Sequence, residues 1–142
     1  MKKIILIIPT LLITTFTFAQ KIKDNDVPSE VRLSFQKLHP NIKDVDWEKE
    51  DANFEAEFEA GKTETSVVFD SKGNILETET EIAVSELPAT IANYISTNYP
   101  GQNIKEAAKI VTANGTVMYE AEIKDKDLIF DSNGNYVKEV KK

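Results

Sequence analysis

Apolar residues recur in this chain with two periods that alternate in blocks. Val27, Val31, Phe35 and Leu38 fall at i, i+4, i+8 and i+11, one stripe of an amphipathic helix that Pro28 can open and Pro40 ends. Leu87, Ile91 and Ile95 repeat that stripe between Pro88 and Pro100, with Ser85 as the expected cap. After each helix the period drops to two. Val45 and Trp47 alternate with Asp46, Glu48 and Glu50, and Phe54, Ala56 and Phe58 alternate with Glu55, Glu57 and Glu59. This is the signature of half-buried antiparallel strands. Gly61-Lys62 predicts a turn into a strand over Thr65 to Asp70, and Asp70-Ser71-Lys72-Gly73-Asn74 a hairpin loop into a strand over Ile75 to Ile82. Past the second helix, strands are expected near Ile104 to Thr112, Val117 to Lys124, Asp127 to Asp131 and Tyr136 to Val140, the first two joined at Asn114-Gly115.

The chain also matches itself. Val27-Pro28 recurs as Leu87-Pro88 and Leu38-His39-Pro40 as Asn98-Tyr99-Pro100, both at an offset of 60. Phe54-Glu55-Ala56-Glu57-Phe58 recurs as Tyr119-Glu120-Ala121-Glu122-Ile123 at an offset of 65. Val68-Phe69-Asp70-Ser71-Lys72-Gly73-Asn74 recurs as Ile129-Phe130-Asp131-Ser132-Asn133-Gly134-Asn135 at an offset of 61. Four matches in one order indicate a duplicated unit. The expected fold is α+β: two tandem repeats of one helix plus a four-stranded antiparallel meander, over residues 20–84 and 85–142, with the helices packed on one face of the sheet.

These residues resemble the PepSY-like, beta-lactamase-inhibitor-like family of exported bacterial proteins. The likeness rests on Val27-Pro28, Phe35, His39-Pro40, Trp47, the Phe54 to Phe58 strand and Phe69-Asp70 with Gly73. It extends to the second copy at Leu87-Pro88, Tyr99-Pro100, Tyr119 to Glu122 and Phe130-Asp131 with Gly134. The resemblance implies two helix plus four-strand repeats and a role in binding or restraining an exported protein or peptide, such as a peptidase or other envelope enzyme. The namesake inhibitor grips its enzyme with an open sheet face.

Residues 1–19 read as a secretory leader. Lys2 and Lys3 precede an apolar stretch from Ile4 to Phe18, and small Ala19 stands before Gln20. The stretch is shorter than the roughly 20 residues of a spanning helix, so cleavage is expected rather than a retained anchor. The expected location is the periplasm or the exterior, with no stable membrane anchor. The chain has 142 residues, no Cys, and 24 acidic against 17 basic side chains. Two of the lysines leave with the leader, which carries no acid, and an acidic mature chain is a poor match for nucleic acid.

The alternation places Asp46, Glu48, Glu50, Glu55, Glu57, Glu59, Glu77, Glu79 and Glu81 on one sheet face, away from the helices. Cross-strand neighbours lie about 5 Å apart, where two charges in water repel by roughly 0.8 kcal/mol before salt screening. Two readings follow: a solvated face kept charged for solubility, or a surface that docks a basic partner. These nine acids are the candidate partner-binding residues. An alternative function is a periplasmic stress-response protein that binds a small ligand or cation; carboxylates standing parallel on a sheet predict only weak, millimolar binding of calcium. The Asp70 and Asp131 loops read as turn chemistry, since a distal bidentate Glu is missing.

No enzyme is expected and no cofactor or metal centre. His39 is the only His, no Gly-x-Ser-x-Gly elbow occurs, and the acids read as lying on a wet face. Asn114-Gly115-Thr116 matches a glycosylation acceptor and is explained by its turn. Trp47 shares parity with Val45 and is assigned to the core, whereas Tyr94 and Tyr99 are expected to be exposed.

Overall fold

The computed structural model describes residues 19–141, so the leader expected over residues 1–19 lies, apart from Ala19, outside the described residues. Nine antiparallel strands form a single sheet in which every strand sits beside its neighbours in the chain, β1 through β9 in order. β1 (Gln20–Ile22) leads through a 3-10 turn at Asp24–Asp26 into α1 (Ser29–Leu38), followed by β2 (Asp46–Glu50), β3 (Asn53–Ala60), β4 (Thr63–Phe69) and β5 (Ile75–Ile82). A second 3-10 turn at Val84–Glu86 precedes α2 (Ala89–Asn98), β6 (Glu106–Thr112), β7 (Val117–Ile123), β8 (Lys126–Asp131) and β9 (Tyr136–Lys141). Nine strands replace the expected eight because β1 is three residues long, too short to display a period.

The prolines set the helix limits. Pro28 and Pro88 stand at the N-caps with φ of −53° and −51°. His39 and Tyr99, each forced out of helical ψ by the following proline, close the helices by donating their backbone N–H to Phe35 and Ile95 at 2.8 Å. Ser85 does not cap α2 as expected. Proline at 88 moves the helix start downstream, Ser85 falls in the 3-10 turn, and the Glu86 carboxylate takes the Ala83 N–H at 2.8 Å instead.

Each helix covers its own patch of the sheet. Val27, Val31 and Phe35 pack on Trp47, Ala56, Phe58, Val67 and Phe69; Leu87, Ile91 and Ile95 pack on Ala107, Ala121, Ile123, Leu128 and Phe130. Trp47 is 4% exposed, a core residue as its parity predicts, and Phe35 meets it edge-on at 5.5 Å. Tyr94 and Tyr99 differ from expectation. Both are half-buried against the second core, Tyr94 stacks on Tyr136 at 5.0 Å, and the Tyr99 hydroxyl donates to Glu139 at 3.1 Å. Tyr99 stands where His39 does in the first half, while Ile95 takes the place of Phe35.

The matched loops are built alike. Asp70 Oδ1 accepts the backbone N–H of Lys72 and Asn74 at 2.8 and 2.9 Å, and the Asn74 amide donates to Oδ2 at 2.8 Å. Asp131 holds Asn133 and Asn135 in the same way, all at 2.9 Å. Both carboxylates are engaged by their own turns. The strand register shifts just before each loop, at Val68/Phe69 and Ile129/Phe130, so the duplication extends to the irregularities.

Gly73 has φ of +81°, and a Cβ there would lie 2.5 Å from the Glu30 carbonyl oxygen on α1, whereas Gly61, at φ of +74°, has open space around it. Gly61→Ala is expected to lose about 1–2 kcal/mol from the left-handed backbone alone, and Gly73→Ala clearly more, because the loop must also move off α1. Urea unfolding of the two variants against the parent measures the difference. Ile91→Ala, at a fully buried position, is expected to cost about 2–5 kcal/mol by the same measurement.

Candidate functional site

The sheet has one face under the helices and one open. Register fixes what the open face carries. Lys21, Glu48, Glu55, Val68, Glu77 and Thr112 stand in one row across β1 to β6. The next row runs Asp46, Glu57, Ser66, Glu79, Ile110, Met118. A third crosses from Glu81 through Ala108, Glu120 and Ile129 to Lys138. By strand parity all nine sequence-predicted acids lie on this face, with Glu50 and Glu59 at the strand ends, opposite Asn53 and Glu64.

Five further acids join them: Glu64, Glu106, Glu120, Glu122 and Asp127. Two were recoverable from the repeat, since Glu120 and Glu122 are the second copies of Glu55 and Glu57. The lysines on the face, Lys21 and Lys138, sit on the edge strands β1 and β9. The potential is therefore negative in the middle and relieved at the two edges, where charge also discourages strands from pairing with strangers.

The face is not uniformly wet. Ala108, Ile110 and Ile129 are on it, yet they are only 7%, 4% and 5% exposed, apolar positions buried among the acids. Above Ser66 and Ala108 lies an open depression of about 270 Å³ walled by Glu55, Glu57, Glu79, Glu81, Glu120 and Glu122. Burial changes the chemistry of its walls. Glu79, desolvated and then crowded by Glu120, Glu55, Glu77 and Asp127, has its pKa raised from 4.5 to about 8. Glu55 is pushed up by burial, then opposed by a hydrogen bond from Ser66, then raised again by Glu48, Glu50 and Glu77. Glu57 is pushed up by burial and by Glu55 and Glu48, with Lys21 pulling the other way. The expectation that these acids are fully solvated is thus corrected for the central strands: flanking side chains and the concave floor shield them from water.

A raised carboxyl in a depression can mark a general acid. Here crowding by like charges and desolvation account for the shift, and the lining offers no His, Cys, Lys or Arg to complete a catalytic set. Glu48, Glu55 and Glu57 each bring one oxygen within 4.8 Å of the others. They approach from one side, so they offer a cation fewer than the six to eight oxygens of a calcium cage. His39 stands apart, on the helix side, its ring 4.5 Å from Phe58 and its pKa lowered by burial.

The sequence profile of the beta-lactamase-inhibitor-like, PepSY-like family matches residues 17–77 and 52–138. The chain belongs to this family. Solved structures of similar fold include a candidate periplasmic protein from Bacteroides eggerthii, with a TM-score of 0.71 at 15% identity over 81% of this chain and 88% of that one. A DUF2874 family protein from Bacteroides uniformis gives 0.68 at 17% identity, covering 80% and 88%. A BLIP-like protein from Bacteroides fragilis gives 0.60 at 23% identity, covering 80% and 86%. At these identities the likeness is one of fold. Among curated proteins none matches the sequence. No helix among the described residues of this PepSY-like chain is long and apolar enough to cross a membrane.

The two kinds of carboxylate predict a distinctive pH profile. Glu79 has a folded pKa above its unfolded value, so the native state holds the proton longer and stability falls as pH rises from about 4.5 to about 8. Asp70 and Asp131 have depressed pKa values, so their contribution is present above the unfolded value near 3.8 and is lost as pH falls below it. Thermal unfolding across pH should show greatest stability in mildly acidic buffer. Glu79→Gln should flatten the alkaline limb and raise the Tm at pH 8 by about 3–6 °C, the shift that ~1 kcal/mol produces once solvent screening is allowed for. An alkaline limb unchanged in the variant would contradict the assignment.

Proposed function

We propose that this protein is exported and acts without catalysis, docking a cationic protein or peptide on the open face of its sheet. The observation that carries this reading is the continuous strand pairing from β1 to β9, which collects the acids of both halves around one open depression. Negative potential at the centre steers a basic partner and speeds encounter. Desolvated apolar residues beside the charges supply the short-range contact that long-range attraction lacks. Family membership supports an inhibitor-like role, and the leader expected from the sequence, together with a candidate periplasmic neighbour, supports the envelope as the place. An exported peptidase or other envelope enzyme with a basic surface is the partner class this reading favours.

A second reading is favoured by Glu48, Glu55 and Glu57, whose converging oxygens offer a divalent cation a one-sided seat. Millimolar affinity is the expectation. The two readings separate by concentration: a partner surface is saturated far below the level at which calcium raises the Tm, and Glu48→Gln with Glu55→Gln and Glu57→Gln should abolish the calcium effect while only weakening a partner that the remaining acids still attract.

The deciding experiment captures partners from the envelope extract of the source bacterium on the mature protein, beside a variant with Glu55, Glu57, Glu77 and Glu79 all changed to Lys. Circular dichroism confirms that the variant is folded. The captured partner should bind the variant at least tenfold more weakly, about 1.4 kcal/mol, and its affinity for the parent should fall as salt is raised. Equal binding to both proteins sinks the docking face.

A further inference from the structure

We propose that Gln20 becomes the first residue of the mature chain and cyclises there to pyroglutamate, sealing the end of the sheet's first strand. The proposal rests on the export reading, and specifically on cleavage after Ala19. Two independent features meet at that bond. Lys2-Lys3, the apolar stretch to Phe18 and small Ala19 place the cut from the sequence side. From the structural side, β1 begins at Gln20, opposite Lys49, while Ala19 belongs to no element and is exposed. A cut there leaves every described strand whole and a glutamine at the new end.

The chemistry needs no partner. The freed α-amine of Gln20 attacks its own side-chain amide carbon; an N–Cδ bond forms, the Cδ–Nε2 bond breaks, and ammonia leaves with the displaced hydrogen. Attack within one residue closes a five-membered lactam, and tethering supplies the proximity that a bimolecular reaction lacks. No oxidant or reductant enters. Gln20 is exposed, so its side chain is at liberty to turn back on the amine.

The consequence follows from how short β1 is. Three residues cover the outer edge of β2, and Ile22, the third, packs against the first core cluster. An aminopeptidase that removed two residues would take most of the strand and open the edge of β2, Asp46–Glu50, to pairing with other chains. Aminopeptidases require a free amine. The lactam has none, keeps one N–H for strand pairing, and also deletes a positive charge beside Lys21.

The test uses the full chain with its leader, secreted into the periplasm of a bacterial host and measured by intact mass and N-terminal peptide sequencing. The expected species begins at Gln20 and is about 17 Da lighter than the free-amine chain, the mass of ammonia lost. It should withstand aminopeptidase, whereas Gln20→Ala, with a free amine, should be trimmed into β1 and lose Tm. A chain that begins at Gln20 with its full mass after prolonged incubation overturns cyclisation and leaves the export reading standing. A chain that begins elsewhere overturns the cleavage reading and the modification together.

Discussion

Six registered pairs between β5 and β6, from Glu77 opposite Thr112 to Ile82 opposite Ala107, join the halves of this protein. The halves share little else. The buried core under α1 and the one under α2 have no residue in common, and beside the backbone hydrogen bonds of the seam Ile82 of β5 reaches across to pack on the second core. Everything distinctive about the open face depends on that seam. Glu79 on β5 and Glu120 on β7 come from different repeats, yet each raises the other's electrostatic cost because β5 and β6 are paired. Apart, each half would be a small sheet with one helix, short of buried surface and bounded by an extra open edge.

Carboxylates in this molecule have two opposite fates. Asp70 and Asp131 are wrapped by N–H donors from their own loops, which hold their pKa values below the usual range. Glu79, Glu55 and Glu57 are desolvated and driven upward, the Ser66 hydroxyl offsetting the shift at Glu55 only in part. The first set holds hairpins against helices; the second holds unrelieved charge on a surface. A native state that keeps such repulsion is less stable than its core would allow. Under the docking we propose, that is the usual relation between a binding surface and the scaffold that carries it.

Much of this architecture was legible in the sequence because the signals were periodic and came twice. Period-two runs around Trp47 and Phe58 named both the strands and the faces of their side chains, and the Asp-x-x-Gly-Asn loops announced hairpins. Other parts were hidden for physical reasons. β1 is too short to show alternation, and Pro88 rather than Ser85 sets the start of α2. Ile110 and Ile129 drew no assignment to a face, and only register shows that they belong to the open one. Desolvation of Glu79 could not be read from its own segment, since three of its crowding neighbours lie on other strands.

The simple strand order has a meaning for how such a chain is made. Because β1 to β9 lie side by side in the sequence in which they emerge, no strand has to wait for a distant segment before it can pair. Loop-closure entropy stays small at every step, and contact order is low for a protein this rich in sheet. A polypeptide delivered end-first, whether from a ribosome or through a membrane pore, can add each strand to the last and bury its first core before the second half arrives. The growing edge is then the only exposed edge of consequence at any moment, and it advances until Lys138 and Lys141 on β9 finish it with charge.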